Sequence, residues 1–165
     1  YDLTTSDAPT WDTSTGRTFT ASGDQLATGW VPTSGCTVIV RMVVGFANNG
    51  SNAVDATDSI VFNIVPLTAS NEVRYRIGSF NTNIVGVGST GAHVVGIAGA
   101  DAYYDGADIG NIITTGGWPT TGTMYIGNRE AGNRTLGGSI QALAMYSTTL
   151  DASQMAALTT AMNAL

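Results

Sequence analysis

CTVIVRMVVGF (36–46) decides the fold, because its β-branched and apolar residues fall on both parities. A strand of that composition is covered on both faces and lies in the middle of a sheet. Only Arg41 interrupts it. DSIVFNIVPL (58–67) is a second such run, closed by Pro66, and EVRYRIGSF (72–80) alternates cleanly. The alternation sends Val73, Tyr75 and Ile77 inward and Glu72, Arg74 and Arg76 outward. NIVGVG (83–88), AHVVGIAG (92–99) and TMYIGN (123–128) read as shorter strands. In AYYDGADIG (102–110), Asp105-Gly106 between β-patterned flanks predicts a tight hairpin. FANNGSNAVDATD (46–58) and ITTGGWPTTG (113–122) read as the turn-rich stretches between strands. About ten short strands at this spacing predict a sandwich or barrel in one domain over residues 1–165.

The period changes at the C-terminus. Asp151 and Gln154 form a capping box, with Leu150 and Met155 placed as its hydrophobic staple. Met155, Leu158, Met162 and Leu165 follow at helical spacing and predict one apolar face docked on the sandwich.

Composition narrows the function. Of the 165 residues 43% are hydrophobic and only 11% charged, and all six basic residues are arginine. The surface must therefore be built from Thr, Ser, Asn, Gly and Ala, which points to an extracellular or virion setting. A net charge of −6 with no basic run argues against nucleic acid and against anionic membrane surfaces. No segment approaches the ~20 apolar residues of a membrane span. The single cysteine, Cys36, excludes an internal disulfide and reads as a buried small hydrophobe. No signal peptide is visible, and a start on Tyr1 reads as a processed product or a segment of something longer.

The stretch IGNREAGNRTLGGSIQALAMYSTTLDASQMAAL (126–158) resembles the closing segment of laminin G-like and concanavalin A-like domains. The matching positions are Ile126-Gly127, Gly138, Ile140, Leu143, Met145, Tyr146, Leu150 and Asp151. Upstream, Ala92-His93-Val94-Val95-Gly96 is similar to the strand that usually reads Trp-His-His-Val-Ala-Gly, and Tyr104-Asp105-Gly106 to the hairpin that follows it. RTFTASGDQLATGWVP (17–32) resembles the opening strand pair, with Phe19 and Leu26 as core positions. The resemblance implies an all-β, antiparallel jelly-roll β-sandwich of the concanavalin A-like kind with a short C-terminal helix. The chain departs from the pattern at Ala92, usually aromatic, and at Gln141, usually acidic. Ala142 and Ala144 then form a flat apolar strip that reads as covered by another chain. The parity slip between Ile140 and Leu143 predicts a β-bulge near Gln141.

Catalytic chemistry has few candidates. Glycosidases use two carboxylates about 5–9.5 Å apart, whereas Glu72 and Glu130 stand far apart without acidic partners. A Ser-His-Asp triad has only His93 to use, and the resemblance makes that residue structural. Zinc fails on the count of Cys and His. Calcium is the candidate cofactor: Asp55, Asp58, Asp101, Asp105 and Asp108 read as turn residues, with Asp55 and Asp58 the candidate metal ligands, although Asp also serves turns for its own sake.

Trp11, Trp30 and Trp118 all sit beside turn residues. An exposed aromatic among Asn and Arg is suited to stacking on a sugar ring while its neighbours bond the hydroxyls. Trp118, with Asn128, Arg129, Asn133 and Arg134 from the loop NREAGNRT (128–135), is the candidate ligand-binding set. An equal reading has Trp118 capping the core and the arginines solvated. Arg41, Arg74 and Arg76 form a second possible patch. Asn49-Gly50-Ser51 and Asn133-Arg134-Thr135 are glycosylation sequons.

The sequence thus predicts a non-catalytic recognition module for surface glycan, most like the laminin G-like domains of bacteriophage tail, fibre or capsid-surface proteins. The alternative is a structural decoration or fibre subunit, in contact with neighbouring virion subunits or assembled as a homo-oligomer. A glycan hydrolase is the third reading.

Overall fold

The two-sided apolar runs and the alternating runs become strands, and turn chemistry sets most of the boundaries between them. A computed structural model describes residues 4–5, 10–12, 16–19, 24–45, 52–57, 61–66, 68, 70–78, 84–87, 89–112, 117–119, 121–128 and 136–165. In chain order the strands are β1 (Thr4–Thr5), β2 (Thr10–Asp12), β3 (Gly16–Phe19), β4 (Leu26–Ala27), β5 (Thr37–Val44), β6 (Val54–Thr57) and β7 (Val61–Val65). They continue as β8 (Glu72–Gly78), β9 (Ile84–Val87), β10 (Gly91–Ala98), β11 (Asp101–Tyr104), β12 (Ala107–Asn111), β13 (Tyr125–Ile126) and β14 (Gly138–Tyr146), followed by helix α1 (Ala152–Asn163). Two seven-stranded antiparallel sheets result, β1-β4-β13-β6-β7-β8-β9 and β12-β11-β10-β5-β14-β3-β2.

β5 lies in the middle of the second sheet, between β10 and β14, as its apolar pattern requires. Val38, Val40, Met42 and Val44 point into the core between the sheets, facing Phe62, Ile64, Val73, Tyr75 and Ile77 of the first sheet. Ile39 points the other way, into a second cluster with Val94, Ala98, Tyr103, Met155 and Met162. β14 carries the predicted bulge: its pairing with β5 shifts between Ile140 and Ala142.

The capping box is present. Asp151 Oδ1 accepts the Gln154 N–H at 2.9 Å, and Gln154 Oε1 accepts the Asp151 N–H at 2.9 Å. The helix buries Met155 and Met162 but not Leu165, which is 79% exposed. Thr159 takes the remaining buried place, its hydroxyl bonded to the Met155 carbonyl at 2.9 Å. This corrects the expected four-residue stripe, because α1 ends at Asn163 and Leu165 lies past its last turn. The Ala142/Ala144 strip has neighbours within the chain. Both side chains are half-buried and pack on the cluster that α1 completes, so the chain's own helix shares in the cover expected of another chain.

Three other expectations change. The turn-rich stretch 46–58 contains β6, a strand held between β13 and β7. Asp55 hid it: a carboxylate in the middle of Ala-Val-Asp-Ala-Thr breaks the apolar reading of a short strand. The opening strands do not pair with each other: β3 joins β14 and β2, whereas β4 joins β1 and β13 in the opposite sheet. Phe19 and Leu26 are nonetheless both in the core. Of residues 123–128, only Tyr125 and Ile126 are strand.

One hydrogen bond ties the two sheets together. Tyr75 Oη, on β8, donates to the Tyr103 carbonyl on β11 at 2.6 Å, fully buried. Burial, reinforced by Tyr104 and Asp105, raises this phenol well above its ordinary value of 10.0. The folded state therefore holds the proton more tightly than the unfolded chain does. Its contribution is complete below pH 10 and is lost as pH rises from there through the folded value, at about 1.4 kcal/mol per pH unit. Urea midpoints are expected to fall steeply above pH 10. Tyr75→Phe is expected to cost about 1 kcal/mol at pH 7 and to show a shallower alkaline fall; an unchanged alkaline slope would contradict this account.

Candidate functional site

Sheet parity puts a polar row on the outward face of the first sheet. Val54 and Ala56, Phe62 and Ile64, Tyr75 and Ile77, and Ile126 all enter the core. The residues between or beside them, Asp55, Asn63, Arg76 and Tyr125, therefore share the opposite face. Register then aligns them: Tyr125 pairs with Asp55, Asp55 with Asn63, and Asn63 with Arg76. Four planar side chains thus stand side by side across β13, β6, β7 and β8. The middle of the row is buried, with Asp55 at 0% and Asn63 at 5% exposure, while Tyr125 and Arg76 are half-buried at its ends. Asp55 Oδ1 accepts from Asn52 Nδ2 at 2.9 Å and from Asn63 Nδ2 at 3.4 Å. Asn63 Oδ1 is buried without a hydrogen-bond partner.

The expected ligand set is only partly described. Trp118 is half-buried and packs on the core, its ring 5.8 Å from Phe62 at a tilt of 38°. That contact belongs to the inner layer and matches the capping reading. Asn128 is fully buried, so its side chain is not presented to solvent. Arg129, Asn133, Arg134 and both sequons lie outside the described residues.

Of the two candidate calcium ligands, Asp55 and Asp58, the structure describes only Asp55. Asp55 stands on a strand rather than in a turn, and amide N–H groups, not oxygens, are directed at its carboxylate. A calcium ion takes six to eight oxygen ligands. Asp58 lies outside the described residues. Asp101 and Asp108 are also strand residues, on β11 and β12; only Asp105 is in a turn, at φ 49° before Gly106 at φ 84°. Among the described residues, no three of His, Cys, Asp and Glu gather where an ion could bind.

Among the described residues Glu72 meets Arg74 at 3.8 Å and the Thr68 hydroxyl at 3.4 Å, with no acidic partner beside it. Glu130 lies outside the described residues. An apolar cleft of about 390 Å³ borders Phe19, Leu26, Ile126, Ile140 and Leu143, with Arg17 and Gln141 also on its walls. No helix among the described residues is long and apolar enough to cross a membrane.

No family model matches the chain, and no curated protein matches it. Solved structures do match by fold. Domain 4 of AbnA, a GH43 extracellular arabinanase from Geobacillus stearothermophilus in complex with arabinotriose, superposes with a TM-score of 0.67. Identity is 14%, over 87% of this chain and 77% of that one. The native heptameric SAP-like pentraxin from Limulus polyphemus gives a TM-score of 0.60 at 16% identity, over 82% and 74% of the two chains. Trypanosoma rangeli sialidase gives 0.60 at 13% identity over 87% of this chain, which spans only 27% of that enzyme. The architecture shared with these structures is an antiparallel jelly-roll β-sandwich, here with one short C-terminal helix. At these identities the likeness is one of fold.

The polar row was absent from the sequence reading. Arg76 is legible as outward-facing, whereas Asp55 reads as a turn residue and Tyr125 falls in a short strand whose two faces its pattern does not distinguish. Only the register across β13, β6 and β7 aligns them, and register is set by long-range pairing.

Proposed function

We propose that this domain is a carbohydrate-recognition module, non-catalytic towards the glycan it binds, on an extracellular or virion-surface protein, such as a bacteriophage tail, fibre or capsid-surface protein. The observation that carries the reading is the in-register row Tyr125–Asp55–Asn63–Arg76. Carboxylate, amide and guanidinium groups offer the paired donors and acceptors that sugar hydroxyls need, and a tyrosine ring offers a stacking face. Buried Asp55 and Asn63 brace the row, and the half-buried ends, Tyr125 and Arg76, make the contacts. The arabinotriose-bound arabinanase domain supports the class of ligand, since it shares this architecture. The lysine-free surface supports the setting.

The test is a glycan array followed by titration of the best ligand. Arg76→Ala and Tyr125→Ala are each expected to weaken binding about tenfold or more, the loss of one charge-assisted hydrogen bond or one stacked ring. Silence from folded protein on a broad array would sink the reading. It would favour the structural subunit instead, whose signature is a stable homo-oligomer in sedimentation.

A further inference from the structure

His93 sits at the rim of the sandwich where the chain crosses from β9 in one sheet to β10 in the other. Its Nδ1 lies 2.9 Å from Asp105 Oδ2, and its Nε2 lies 2.8 Å from Ser89 Oγ. Asp105 is itself fixed: its Oδ1 accepts the Val94 N–H at 2.8 Å, and its own N–H donates to the Val94 carbonyl at 2.7 Å. The Tyr104 ring stacks on the imidazole, with centroids 5.0 Å apart and planes at 29°. Ser89 is exposed, and the His93 side chain retains 14% exposure.

The hydrogen bonds fix a tautomer. A carboxylate can only accept, so Nδ1 carries the imidazole proton and Nε2 offers its lone pair to the Ser89 hydroxyl. That is the arrangement in which a histidine serves as general base to a serine. A second donor stands nearby. The Tyr104 hydroxyl is buried against Ser89. Burial, the largest influence, raises its pKa, so it remains a protonated donor across neutral pH.

We infer that Ser89 is an activated nucleophile and that this rim transfers the acyl group of small carboxylic esters to water. Ser89 Oγ bonds to the ester carbonyl carbon while its proton passes to His93 Nε2. The carbon–oxygen bond to the alcohol then breaks, and the alcohol leaves with the proton from Nε2. Water repeats the sequence on the acyl-serine, giving the carboxylic acid and restoring Ser89. Asp105 is a positioning residue that acts through the imidazole. This inference stands independently of the carbohydrate reading.

The experiment exposes the folded protein to a fluorophosphonate probe and follows the adduct by intact mass and peptide mapping. One adduct per chain at Ser89 is expected, absent in Ser89→Ala, whose exposed position leaves folding intact. His93→Gln is expected to label at least about 100-fold more slowly. Asp105→Asn suits the same turn, but its single oxygen cannot serve both Val94 N–H and His93 Nδ1, so the tautomer reverses. Its labelling rate is expected to fall about 10³–10⁴-fold, a readout that a merely structural pair would not move. A folded wild-type protein that takes no adduct would overturn the inference. So would an adduct that persists in Ser89→Ala, or equal rates in His93→Gln or Asp105→Asn variants shown to be folded by near-ultraviolet circular dichroism.

Discussion

Phe19→Ala is expected to lower the unfolding free energy by about 3–5 kcal/mol, the range for a fully buried aromatic cut back to a methyl group. Phe19 is 0% exposed on β3 and joins the core shared by both sheets. Its ring covers Gly127 so closely that a Cβ at that position would overlap it. Gly127 also has φ 78°, and its N–H bonds the Ala53 carbonyl at 2.9 Å, so the backbone under the ring is held in place. Phe19 already borders the apolar cleft, and the strands around it are anchored in opposite sheets, so the vacated volume cannot close. Urea unfolding with tryptophan fluorescence measures the loss. A cost below about 1.5 kcal/mol would mean that the neighbourhood collapses into the gap.

Asp55→Ala is the second large effect, and it acts through polarity rather than volume. Asp55 is wholly buried on an outward-facing strand position, and it receives the side-chain amides of Asn52 and Asn63. Removing the carboxylate leaves two buried donors bare, each at about 1–3 kcal/mol, and the costs accumulate because nothing else in the row can accept from both. Asp55→Asn preserves shape and one acceptor, so it is expected to retain most of the stability. Equilibrium unfolding of the two variants side by side separates the cases. If both cost less than about 1 kcal/mol, water already reaches the row and the buried brace is not what holds it.

The long apolar segments were legible because periodicity reports burial directly. Thr37–Val44 lies where its two-sided apolar run places it and Glu72–Gly78 where alternation does, and the Asp105-Gly106 hairpin and the bulge after Ile140 lie where turn chemistry and the parity slip put them. The helix was legible from its cap. What escaped has a common physical cause. β6 is four residues long with a carboxylate inside, and its identity as a strand comes from partners on either side. Ser89, His93 and Asp105 are separated by 4 and 12 positions in sequence, and only the pairing of β10 with β11 and the sheet-to-sheet crossing at Ser89 assembles them. Spacing along the chain carries no trace of such a meeting. Asp55, by contrast, reads in the sequence as a turn carboxylate, whereas it stands on β6 and its Oδ1 accepts the side-chain amides of Asn52 and Asn63.

Cys36 gives the experimenter a chemical clock. The thiol is 0% exposed at the foot of the central strand, and burial pushes its pKa up to about 11. It is the only cysteine in the chain. A thiol reagent in neutral buffer therefore finds nothing to react with until the core around β5 opens, and each modification event then dates one opening. The rate at which the wild-type protein consumes such a reagent reports how often the two sheets part, with no label introduced and no competing site to subtract.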